Sequence, residues 1–167
     1  MENVSSFVGE PTNYASFGRR FVALIIDGLI LGIAQMIVIA PFMAAIGFGA
    51  AANADALSDM SEQQALGLAS GIMGAGLAIQ VVSWAIGGVY FVMMESSAKQ
   101  ATLGKMAMGL KVTDLNGNRI NPTTAVIRYI GRIVSGMIML IGYIMAAFTA
   151  KKQALHDIMA STLVLKS

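Results

Sequence analysis

The ionisable residues of this chain sit where its apolar runs begin, end or are interrupted, and Asp27 is the plainest case. It lies inside the run Phe21-Val-Ala-Leu-Ile-Ile-Asp-Gly-Leu-Ile-Leu-Gly-Ile, which continues almost without polar residues to Phe48. A carboxylate inside a helix of membrane length is costly to hold. Two chemistries justify it: exchange of a proton or cation at a partly buried site, or an ion pair with an arginine that fixes a bundle. Arg20 precedes Asp27 by seven residues, which places both on one helix face about 10 Å apart along the axis. Its neighbour Arg19 reads as a membrane anchor. Further along, Arg128 and Arg132 stand at i, i+4; their long stems suit snorkelling to the interface, or either could serve in place of Arg20 as the partner of Asp27. Glu95 closes the second apolar run, either at the interface or in a polar cluster with the others. Asp157 follows Lys151-Lys152 and is a candidate partner for Arg20, which would make a cluster of Arg20, Asp27 and Asp157. Lys99, Lys105 and Lys111 suit anionic lipid headgroups, each contact worth about 1 kcal/mol.

Other chemistry is poorly supplied. The chain has no cysteine and a single histidine, His156, so thiolate and His-rich metal sites are excluded. Thr102-Leu-Gly-Lys lacks the spacing and the Ser/Thr of a phosphate-binding loop. His156-Asp157 has no matched serine elbow or metal-ligand spacing. No enzyme, cofactor or metal is expected. A net charge of +2 is too small to argue for nucleic acid.

These residues must be positioned by membrane helices. Hydrophobic residues make up 56% of the 167 and charged ones 12%, where soluble domains carry about a quarter charged. The expected fold is an all-α membrane protein with a polar segment over 1–18 and a membrane domain over 19–167. Its spans cover about 21–48 and 66–94, followed by loop 95–122, a third apolar segment 123–150 and a tail 151–167. No cleavable signal peptide is expected, since the first run is too long for one. The connector 49–65 holds Asp55, Asp59 and Glu62 without Lys or Arg, while loop 95–122 is basic. The positive-inside rule therefore puts the N-terminus and loop 95–122 in the cytoplasm.

The third segment is either spanning or re-entrant. A crossing would strand Lys151, Lys152 and Lys166 outside, whereas a turn near Ser135-Gly136 or Gly142 keeps the tail inside. Leu110–Asp114, Asn116-Gly117 and Asn118–Asn121 predict a short cytoplasmic hairpin, to which the tail strand Ser161–Lys166 would add. Gly67 and Gly71 suit close helix approach, and Gln80 and Ser83 suit interhelical hydrogen bonds. Met137, Met139 and Met145 read as adaptable apolar bulk.

Three stretches together resemble the RDD family of small prokaryotic membrane proteins. They are Arg-Arg-Phe-Val-Ala-Leu-Ile-Ile-Asp at 19–27, Ala101-Thr-Leu-Gly-Lys-Met-Ala-Met-Gly-Leu-Lys-Val, and Leu155-His-Asp-Ile-Met-Ala-Ser-Thr-Leu-Val. The resemblance covers about residues 14–166 and identifies Arg20, Asp27 and Asp157 as the residues matching the family's signature. Ser161 stands where the family often has glycine. What it implies is a multi-pass protein of the prokaryotic cytoplasmic (inner) membrane, with solute transport or sodium/proton antiport suggested for the family. Two functions stay open. One is an ion or small-solute transporter working through Asp27, in which two or three spans would require a homo-oligomer or larger complex. The other is a non-catalytic accessory or assembly subunit. In both, the partners are the lipid bilayer and its anionic headgroups.

Overall fold

The computed structural model describes residues 13–138 and 141–167. The elements follow in the order α1 (Phe17–Ala52), α2 (Ala54–Ser58), α3 (Glu62–Glu95), α4 (Leu103–Ala107), β1 (Leu110–Asp114), α5 (Pro122–Met137), α6 (Ile141–Phe148), α7 (Leu155–Met159) and β2 (Thr162–Lys166). Helices α1 and α3, of 36 and 34 residues, are long and apolar enough to cross a membrane. At 1.5 Å per residue each exceeds the hydrocarbon thickness of about 30 Å, so both extend beyond the expected spans. The polar segment expected at 1–18 lies mostly outside the described residues.

The chain divides into two compact units, residues 30–87 and residues 1–29 with 88–167. The first contains most of α1 and α3 with their connector. Gln35 donates a hydrogen bond to the Ser83 carbonyl at 3.3 Å, the interhelical use expected for polar side chains in apolar helices. Its outward surface is apolar, with Met36 70%, Ile37 73%, Met73 70% and Leu77 68% exposed. Such a surface is costly in water and neutral in lipid.

The second unit holds every charged group of interest. Its sheet has two antiparallel strands, with Leu110 opposite Lys166 and Asp114 opposite Thr162. The expected hairpin at 110–121 does not form. Asp114 instead closes its own turn: its carboxylate accepts from the backbone N–H groups of Asn116 and Asn118, both at 2.8 Å. Gly117 takes the left-handed φ of +85° that the turn requires. The tail therefore pairs directly with β1, and Tyr14 adds a bridge to Leu165. Ala15, Ala23, Leu110, Val112, Ile120, Ala125 and Val164 form the apolar core beneath it.

Helix α5 is amphipathic in the inverted sense. Its buried face is Ala125, Arg128, Gly131, Arg132 and Ser135, while Val126, Ile127, Ile130 and Met137 are exposed. Charges turned inward and apolar groups outward suit a helix whose solvent is lipid. Its N-terminus is capped by Asn121, whose side chain accepts from the Thr124 N–H at 2.7 Å. The third apolar segment is broken between Met137 and Ile141, and the axes of α5 and α6 are bent by 99°. The break falls between the two turn positions considered from sequence; Met139 lies outside the described residues.

Candidate functional site

The site begins at the two ends of the long helices that belong to the second unit. Asp27, on α1, is 2% exposed. Its carboxylate accepts from the Thr102 hydroxyl at 2.6 Å, the Gly104 N–H at 2.8 Å and the Tyr90 hydroxyl at 2.8 Å. Tyr90 in turn accepts from the Leu103 N–H at 3.0 Å, and Thr102 Oγ1 accepts from the Lys105 N–H at 3.4 Å. The first turn of a helix leaves its N–H groups without internal partners. Here the three in α4 are met by Tyr90, Asp27 and Thr102, so the carboxylate acts as an external cap. Gly104 makes this approach possible, because a Cβ there would overlap the Ala23 carbonyl oxygen and stand 2.9 Å from Asp27 Cγ.

The donors on Asp27 are thus neutral groups, and the arginine pairing considered for it goes elsewhere. Arg20 pairs with Asp157, not with Asp27. Arg128 Nη1 reaches Asp157 Oδ1 at 2.8 Å and also bonds Thr162. The Ala154 N–H donates to Asp157 Oδ2 at 3.0 Å. Burial alone would raise the Asp157 carboxyl, but the charges of Arg128 and Arg20 hold it well below the usual carboxylate range.

Glu95 is the second hub, 1% exposed at the end of α3. It pairs with Lys105, with Arg132, and with Arg128 Nε at 3.0 Å. Two expectations are corrected here. Arg128 and Arg132 are buried, at 1% and 8% exposure, and do not snorkel to an interface. Lys105 is buried against Glu95 and is not available to headgroups. Glu95 takes the second of the two places considered for it, in the polar cluster. The cause is common to all: two arginines one turn apart on the buried face of α5 need a carboxylate in low dielectric, and Glu95 supplies it. Lys99 and Arg19 are exposed and Lys111 is half-buried.

Burial depresses the Lys105 ammonium to about 7, Arg132 and Arg128 adding to the effect and Glu95 opposing it. Burial also holds His156 well below its ordinary value, so it is neutral. Its Nε2 lies 3.4 Å from Asp157 Oδ1. Tyr143 packs on its ring at a centroid distance of 5.1 Å, and Phe91 underlies the Arg132 guanidinium at 4.0 Å. A cavity of about 260 Å³ opens among these groups, lined by Arg20, Asp27, Lys105, Arg128, Arg132 and His156 on its polar side. Tyr90 was not singled out from sequence, and Thr102, Gly104 and His156 were weighed there only for phosphate, metal or triad chemistry. The one available signal was the unpaired charge of Arg128 and Arg132, which demanded a carboxylate from elsewhere. Among the described residues no group of three or more metal-ligating side chains is assembled.

Mostly helical, with two helices long and apolar enough to cross a membrane and a small two-stranded sheet, the chain has the character of an α-helical membrane protein. The chain belongs to the RDD family, whose model matches residues 14–161. It is similar to YxaI, an uncharacterized protein of Bacillus subtilis (strain 168), with 34% identity over 151 residues, covering 90% of this chain and 96% of the relative. No solved structure matches.

Proposed function

We propose that this protein is a transporter for an ion or small solute in the prokaryotic inner membrane, with the ion network around Glu95 and Asp157 as its binding centre. The observation that carries this is the cavity of about 260 Å³ bordered by ionisable side chains. A network serving structure alone gains most by closing on itself, because space beside buried charges weakens the contacts that offset their desolvation. Space at that position is what a bound solute needs. In this reading Asp27 caps α4 and so positions Lys105, and any proton or cation exchange at Asp27 requires release of its three donors. The basic N-terminal flank, loop and tail face the cytoplasm, and the bent α5–α6 pair is a re-entrant segment.

A second reading is favoured by one observation. The apolar windows of α1 and α3 are only 11% buried within the chain. Lipid, a second copy or a larger complex must cover the rest, and an accessory or assembly subunit would present such a surface.

Purified protein in proteoliposomes separates the two. Transport predicts flux of a sodium, proton or small-solute probe that Asp27→Asn and Arg128→Lys reduce. Absence of flux for every probe, with a partner co-purifying at fixed stoichiometry, selects the accessory role and refutes transport.

A further inference from the structure

One group beside the cavity is free to change its charge without breaking the network. The ion pairs join Glu95 to Lys105, Arg128 and Arg132, and Asp157 to Arg20 and Arg128. Asp27 is tied to the start of α4 by Thr102, Gly104 and Tyr90. With Lys105 set aside, three arginines stand with three carboxylates and the formal charges cancel. The Lys105 ammonium is therefore the surplus charge, buried in a site that is balanced without it. An uncompensated charge in low dielectric is strongly unfavourable, and a group that is able to do so relieves it by becoming neutral.

Side-chain chemistry decides which group gives way. An arginine keeps its proton inside a protein, so Arg20, Arg128 and Arg132 are fixed charges. Glu95 and Asp157 each face at least two cations, and a proton on either carboxylate would leave those cations unpaired. Burial holds His156 neutral beside Arg128 and Arg132. Asp27 has both oxygens engaged by its three donors. Lys105 meets none of these obstacles. When it loses a proton, Glu95 still has Arg128 and Arg132, and the neutral amine keeps N–H groups to donate to Glu95. Access favours the same residue. The Lys105 side chain lines the cavity and is 10% exposed, whereas those of Glu95, Arg128 and Asp157 are at 1% or less.

We propose that Lys105 is the residue through which this centre exchanges a proton with its surroundings. The Nζ–H bond breaks with its electron pair staying on nitrogen, and the proton passes to water. The site then goes from a formal surplus of one positive charge to neutrality, and the reverse step restores it. Burial holds the ammonium at about 7, far below the ordinary lysine value, so both forms are populated at neutral pH. The groups facing Lys105 are Glu95 on α3, Arg128 and Arg132 on α5, and His156 on α7. Asp27 on α1 and Tyr90 on α3 hold its helix through Gly104 and Leu103, and Tyr143 on α6 lines the same cavity. The consequence for flux rests on the transport reading above: there, Lys105 couples flux to pH, and Asp27 is the cap that keeps Lys105 in place.

The test is an NMR titration of the full chain in micelles, with carbon-13 at lysine Cε. One lysine signal titrates near pH 7 and the others near the ordinary value of about 10.4. Among the described residues Lys105 is the one buried lysine, so the wild-type spectrum decides even if a variant fails to fold. In a folded Lys105→Arg the low midpoint disappears. Every lysine titrating above about 9 overturns the proposal, and so does a low midpoint that persists in that variant. In proteoliposomes, flux governed by one group with a midpoint near 7 changes about tenfold between about pH 6 and 8. Lys105→Arg, a fixed charge, reduces that change to less than about twofold. A pH profile that the arginine variant retains refutes the role of Lys105 and leaves transport standing. A lysine titrating near 7 without flux of any probe refutes transport and leaves the proton site.

Discussion

Replacing Glu95 with glutamine tests the network at its most committed point. Glu95 is 1% exposed and contacts Lys105, Arg128 and Arg132, so glutamine keeps the shape and one acceptor oxygen but removes the charge that three buried cations share. Breaking one buried pair by removing a partner costs about 3–5 kcal/mol. Two features set where this case falls. Arg128 keeps Asp157 as a second partner, and Lys105, already depressed to about 7, sheds its proton readily. Arg132 has neither relief, so the loss is dominated by one arginine and is about 3–4 kcal/mol rather than a multiple of it. The double variant Glu95→Gln with Lys105→Met removes a group that must otherwise stay buried and charged or give up its proton, and recovers about 1 kcal/mol. Reversible unfolding in mixed micelles, followed by fluorescence of Trp84, measures both. A single variant within 0.5 kcal/mol of wild type, or a double variant no more stable than the single, would refute the view that Glu95 neutralises these cations.

Gly104→Ala forces a Cβ against the Ala23 carbonyl and the Asp27 carboxylate; a loss of about 2–3 kcal/mol is expected from overpacking and broken capping, read in the same unfolding assay. Lys105 carries a folded pKa of about 7 against an ordinary 10.5, so between those values the unfolded chain holds a proton that the folded one lacks. Stability therefore rises with pH from about 7 to 10.5, and Lys105→Met flattens that limb of a melting-temperature profile. The groups facing Lys105 are Glu95, Arg128 and Arg132, with Asp27 bound to its neighbour Gly104. His156 is held below 6.5 by burial, so stability falls as pH drops below about 6.5, and His156→Gln removes that dependence. Ser167→Cys reacts with an impermeant maleimide only after cells are opened if the tail is cytoplasmic; reaction in intact cells would refute the re-entrant reading.

Sequence by itself determined the family resemblance, the positions of two long apolar helices and a strand in the tail. Those follow from local facts: run length, charge placement and residue type, which hold whatever the partners are. Tertiary structure decided which charge meets which. Asp27 turned out to face the start of α4, where Gly104 alone permits contact, while Arg20 crossed to Asp157. Arg128, Arg132 and Lys105, which stand at positions typical of interfacial side chains, were drawn inward because Glu95 lies within reach of all three. The pairing of buried charges depends on distances of a few ångströms between residues far apart in the chain, and periodicity carries no record of those distances. The same holds for the cavity, which lies where α1, α3, α4, α5, α6, α7 and β2 leave space beside the network.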